Sequence, residues 1–326
     1  MTVSTVSQTS KLSVRRLLPG LALSALISTI LLIAMGSIVR VTGNGLGCPD
    51  WPLCYGRVIP PSLTGAWVEF THRLLGGLTS VQIVLLALLA WRGFRREPGV
   101  FRPAVLAGVL LVLQVSLGGL HVVFEIPPAT GWVHTGVAML IVGMLAVVVG
   151  RTFPALQSLR GITQEMFSQR RFGSLVSLTA FATYVLLLTG SYVTRSGASL
   201  ACPSFPNCGS SAPAMRRLID IQMLHRYAAF TVAFLVLVSI IWLLRSQQRP
   251  GLARIAYGLG LLLVTQFGLG IANVLLRLPM WTRVLHLTVA AGIWAVMVLL
   301  WSLGYARETV PAAHRRPAVA GSGGVL

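Results

Sequence analysis

Apolar residues in this chain neither alternate with the period of a strand nor recur as the narrow stripe of a surface helix. They fill whole stretches, and a helix needs about 20 such residues to cross a bilayer. Stretches of that kind fall at 17–40, 72–92, 103–124, 131–150, 173–195, 222–244, 252–276 and 283–305. The pattern predicts an all-α membrane protein of eight transmembrane helices, and an even number of crossings puts both termini on one side. The first stretch is longer than the apolar core of a signal peptide and no small-residue cleavage site follows it, so it reads as a retained span.

At 55% hydrophobic and only 10% charged residues over 326 positions, the composition excludes a soluble globular domain. The net charge of +19 invites a nucleic-acid reading. The basic residues, however, sit in short clusters between apolar runs rather than on one polar face, which points to membrane lipid as the surrounding partner and to no nucleic acid. Seventeen of the 26 Lys and Arg residues lie in the N-tail, the second, fourth and sixth loops, and the C-tail. Basic residues accumulate on the cytoplasmic side, so both termini are expected there. The expected divisions are an N-tail (1–16), an N-terminal four-helix half (17–150), a cytoplasmic linker (151–172), a C-terminal four-helix half (173–306) and a tail (307–326). The tail is rich in Ala, Gly, Pro and Arg, has no apolar period and is expected to be disordered.

The two halves are copies. VTGNGLGCPDWPLC (41–54) returns as RSGASLACPSFPNC (195–208), EFTHR (69–73) as QMLHR (222–226), and QVSLGGLH (114–121) as QFGLGIAN (266–273), each 152 to 154 residues later. Four spans therefore recur as four spans in the same orientation. This predicts two tandem four-helix bundles related by a pseudo-twofold axis near the membrane normal.

The repeat also duplicates histidines. His72 and His225 open the second and sixth stretches, while His134 and His286 lie just inside the fourth and eighth, all toward the outer ends. A lone histidine in a span is commonly a hydrogen-bonded packing residue. Two imidazoles from two helices of one bundle, at matching depth in each half, instead suit the axial ligation of a haem iron. Zinc is the rival metal, but it calls for three or four converging donors and each half supplies two symmetric ones. His121 competes with His134; its counterpart is Asn273, so symmetry favours His134 and leaves His121 a polar contact beside the site. Arg73 and Arg226 directly follow His72 and His225, where a guanidinium could bind a haem propionate or extend to the headgroups.

Cys48 and Cys54, and Cys202 and Cys208, form one pair in each of two outer loops. Thiols outside the cytoplasm persist as disulfides, so a local disulfide in each loop is expected, either structural or redox-active. Glu69 breaks the symmetry, standing one helical turn before His72 where the second half has Gln222 before His225. It could complement the helix dipole, or it could move protons beside the first haem site.

The segments GLGCPDWPLC, EFTHRLLG, CPSFPNC and LHRYAAF together resemble the haem A synthase family, in its bacterial type with a cysteine pair in each half, and the resemblance extends over all eight spans. It implies an oxidoreductase of the bacterial cytoplasmic membrane that converts a ring methyl group of haem O to a formyl group, giving haem A for terminal oxidases. It implies haem O held by the N-terminal half, facing His72 and His134, with Glu69 as the catalytic carboxylate. It implies haem b held by His225 and His286 in the C-terminal half, with haem O synthase and oxidase assembly factors as partners. His121 is not part of the family's motif. The alternatives are a di-haem b electron-transfer protein that modifies no haem, such as a quinol-oxidising cytochrome, and a haem or lipid transporter. A transporter is expected to carry its polar groups at midplane, whereas here they concentrate at the outer ends.

Overall fold

The computed structural model describes residues 2–125, 127–208, 213–245 and 250–305. The expected tail, with His314, lies outside the described residues. Among those residues the chain forms nine α-helices: α1 (Thr2–Val41), α2 (Thr64–Gly93), α3 (Pro98–Val123), α4 (Pro128–Thr152), α5 (Pro154–Ser168), α6 (Arg170–Arg195), α7 (Arg216–Arg245), α8 (Pro250–Leu275) and α9 (Met280–Gly304). All but α5 are long and apolar enough to cross a membrane. Proline starts α3, α4 and α5, at positions where the missing N–H has no intrahelical partner to lose.

The helices are longer than the apolar runs that announce them. α2 begins at Thr64 and α7 at Arg216, so His72 and His225 sit about two turns inside their helices. The added turns carry polar groups, such as Glu69 and Asp220, which a hydropathy reading excludes but which a helix accepts.

The duplication is visible in lengths and in packing. α2 and α7 each have 30 residues, α3 and α8 each 26, and α4 and α9 each 25. In the first half α1 packs on α2, α2 on α3, α3 on α4, and α4 back on α1. α6, α7, α8 and α9 close a ring in the same order. The rings meet where α4 lies against α6 and α9, and where α1 lies against α9.

α4 is the central element, with 67% of its apolar window buried against 39% or less for any other span. Lipid tails are as apolar as leucine, so close packing and buried hydrogen bonds must hold such a seam. Trp294 of α9 donates its indole N–H to the Met139 carbonyl at 2.7 Å, and the Tyr184 hydroxyl of α6 donates to the Gly136 carbonyl at 3.2 Å. Gly143 and Gly150 admit Trp294 and Ser302, leaving no room for a side chain at either position.

The linker between the halves contains α5. Leu159, Thr163 and Met166 are buried on one face of it, spaced as one side of a helix, and α5 lies against α9 and α6.

Candidate functional site

Two loops close over the helix ends, one following α1 and one following α6. In each, a disulfide forms a small ring, Cys48–Cys54 with Cα atoms 4.6 Å apart and Cys202–Cys208 with Cα atoms 5.2 Å apart. Both expected disulfides are present. A helix beneath holds each ring by the same bonds. The Cys48 N–H donates to Glu69 Oε2 at 2.9 Å, and the Cys202 N–H donates to Gln222 Oε1 at 2.6 Å. Arg73 donates to the carbonyls of Cys48, Asp50 and Leu53; Arg226 donates to those of Cys202, Ser204 and Pro206. Arg73 also pairs with Glu69 Oε1.

Glu69, Arg73 and Arg226 thus fasten the cysteine loops to the helices beneath them. The loops in turn press an aromatic ring inward. Trp51 lies on Gly119 of α3, and its repeat counterpart Phe205 packs against Phe230 at a tilt and against Phe267 edge to face.

Beneath the loops lie the histidines. His225 and His286 line one cavity and are near enough to interact electrostatically. The volume of that cavity is about 260 Å³. His72 and His134 likewise interact in the first half.

Each of the four rings is pressed edge-on against a glycine of a neighbouring helix. A Cβ added at Gly190 would lie 3.0 Å from Cε1 of His225, and one at Gly36 would lie 3.0 Å from Cε1 of His72. For Gly270 and His286 the distance is 3.4 Å, and for Gly118 and His134 it is 3.6 Å. Glycine lets the backbone close on the imidazole and fix its plane.

Hydrogen bonds then decide what the ring nitrogens can do. Nδ1 of His225 is 2.9 Å from Thr189 Oγ1, and that hydroxyl donates to the Leu186 carbonyl at 2.8 Å. A hydroxyl that donates to Leu186 can accept from an Nδ1–H of His225, and that arrangement leaves the lone pair on Nε2, the tautomer a metal ligand needs. The first half has Met35 at the position of Thr189. Gln114 approaches Nε2 of His134 at 3.0 Å and Gln266 approaches Nε2 of His286 at 3.3 Å. His121 bonds Thr130 through Nδ1 at 2.8 Å and stacks on His134 with ring centroids 6.4 Å apart.

A buried polar atom without a partner costs about 1–3 kcal/mol, and Oε1 of Gln114 and Gln266 and Oδ1 of Asn273 are such atoms here. Paired imidazoles and apolar walls that include Leu187, Phe230 and Val236 fit a haem. Among the described residues no three His, Cys, Asp or Glu side chains converge as a metal site would require.

This architecture has relatives. A family model described as COX15-CtaA, cytochrome oxidase assembly protein, matches residues 20–65 and 62–298. The chain belongs to the COX15-CtaA family. Among the curated relatives of this COX15-CtaA chain are proteins named "Heme A synthase". The one from Shouchella clausii (strain KSM-K16) is 31% identical over 76% of this chain and 84% of its own length. Those from Bacillus cereus (strain AH187) and Bacillus mycoides (strain KBAB4) are each 28% identical, over 89% and 91% of this chain and 94% and 96% of their own lengths. All four histidines, Glu69 and both cysteine pairs fall inside the COX15-CtaA match.

The glycine seats and Thr189 escape a sequence reading because a small residue beside a span carries no chemical mark. Gly118 and Gly270 do stand in the repeated QVSLGGLH and QFGLGIAN segments, and their recurrence 152 residues apart is the signal that could have found them.

Proposed function

We propose that this protein is a haem A synthase, an oxidoreductase that receives haem O from the lipid phase and oxidises one ring methyl group to a formyl group through successive hydroxylations and loss of water. The observation that carries the reading is a pair of half-buried imidazoles seated against glycines in each half of a chain of this family, with a carboxylate, Glu69, where the second half has Gln222. His225 and His286 hold haem b in the C-terminal half, and His72 and His134 face haem O in the N-terminal half. When bound, haem b supplies one-electron redox capacity.

The chain itself positions and excludes. Thr189 keeps a proton on Nδ1 of His225 so that Nε2 stays free. The disulfide loops, fastened by Arg73 and Arg226, lie over the sites and place Trp51 and Phe205 above them. Glu69 is the carboxylate that takes up or hands on protons, with Oε1 fixed by Arg73 and Oε2 by the Cys48 amide. The basic residues of the loops opposite the cysteine rings support cytoplasmic termini and haem sites near the outer face. The farnesyl chain of haem O keeps that substrate in the bilayer, so haem O synthase and oxidase assembly factors are the expected partners.

The test is production of the full chain with and without a source of haem O, followed by extraction and mass analysis of the haems. Haem A is expected only when haem O is supplied, alongside haem b in both cases. Two b haems with haem O returned unchanged would identify an electron-transfer protein instead.

A further inference from the structure

Three arginines stand apart from the duplicated pattern. Arg40 ends α1, Arg195 ends α6 and Arg283 lies in the first turn of α9; at the corresponding positions of the other half are Thr194, Val41 and Gly131. They come from elements that meet where the two rings join, and all three line the cavity that contains His225 and His286.

Each is half-buried, and among the described residues none has a carboxylate within ion-pairing distance. The ion pairs among the described residues are Arg15–Glu97 and Arg73–Glu69. Arg195 and Arg283 are close enough to repel Arg40, and Arg195 Nε is buried without a partner. Arg195 also lies so close over Gly131 of α4 that a Cβ there would run into its guanidinium. Three clustered, half-desolvated guanidiniums with no internal counter-charge are stabilised by an anion, and guanidinium geometry suits a carboxylate. Arg226, the arginine adjacent to His225 in sequence, already spends both Nη groups on loop carbonyls.

The cavity therefore asks for a ligand that is apolar over most of its surface, meets imidazoles midway and carries negative charge along one edge. We infer that Arg40, Arg195 and Arg283 form the subsite for the two carboxylates of the tetrapyrrole in the C-terminal half. The inference rests on the reading of that pocket as a haem site.

The experiment uses full-length protein made under haem limitation and titrated with iron protoporphyrin IX or with its dimethyl ester, following the low-spin Soret band. Wild type is expected to prefer the diacid by about tenfold or more, the worth of a charge-assisted hydrogen bond. Arg195→Gln, Arg283→Gln and the double variant are expected to lose that preference stepwise while affinity for the diester is unchanged, and Arg195→Lys keeps part of it. An unchanged diacid-to-diester ratio overturns the subsite. So does an equal loss of affinity for both ligands, which marks a structural role, or loss of co-purifying anionic phospholipid at constant ratio, which marks a headgroup site. Failure of wild type to bind either tetrapyrrole, or a low-spin spectrum surviving His286→Ala, would instead remove the haem reading itself.

Discussion

Replacing Glu69 by glutamine separates holding a loop from moving a proton. The second half already performs the control, because Gln222 accepts the Cys202 N–H at 2.6 Å as Glu69 accepts the Cys48 N–H at 2.9 Å. Glu69→Gln keeps an acceptor for the loop and loses only charge assistance toward Arg73. A hydrogen bond to a charged group contributes roughly 1.5–3 kcal/mol and a neutral one roughly 0.5–1.5, so the cost is about 1–2 kcal/mol. Arg73 keeps its three loop carbonyls, and the fold and haem b should survive. A positioned general acid–base group is worth about 10²- to 10⁴-fold in rate. The ratio of haem A to haem b extracted from the purified variant is therefore expected to fall by about 100-fold or more, haem b serving as the internal measure of folded protein. Gln222→Glu is expected to leave the ratio unchanged. A wild-type ratio in Glu69→Gln would refute the catalytic assignment and leave Glu69 an anchor like Gln222.

Gly190→Ala would drive a methyl group to 3.0 Å from the His225 ring; bound haem b, read as the low-spin absorbance per protein, should fall sharply, whereas Gly36→Ala should spare haem b and lower haem A. Thr189→Val removes the partner of His225 Nδ1 and should weaken haem b about 10- to 100-fold, as losing an outer-shell partner of a metal ligand does. Cys48→Ala with Cys54→Ala opens a six-residue separation, costing about 2 kcal/mol of stability on loop-closure grounds; if the disulfide is structural, haem A formed per folded molecule persists. The Asp50 carboxyl, outside the spans, is held below its ordinary value of 3.8 by the Gly56 N–H and then the Tyr55 N–H. Its contribution to loop stability is therefore fully present above that pH and lost as pH falls through the still lower folded value. Protease resistance of the loop should show this loss, and Asp50→Asn should abolish the pH dependence.

The spans were legible because unbroken apolar runs have few other destinations, and the paired histidines because duplication placed each one twice. What escaped reading was direction. Glu69 shares a helix face with His72, yet its carboxylate reaches up to Cys48, because a buried amide in a loop must find an acceptor and this one is within reach. Arg73 and Arg226 likewise answer loop carbonyls that no span-level pattern reveals. α5 was missed because Leu159, Thr163 and Met166 make only a short stripe in an otherwise polar connection. Arg40, Arg195 and Arg283 are scattered in sequence and meet only once the two rings are joined.

Gly136, Gly143 and Gly150 of α4 repeat every seventh residue and receive Leu188, Trp294 and Ser302 from the opposite half. A joint of this kind behaves as a rigid spacer. On the proposed reading it would set how far apart the two haems stand, and tunnelling between them depends steeply on that gap. Substitution at any of the three would wedge the bundles apart, so that electron transfer slows while both chambers keep their own shape.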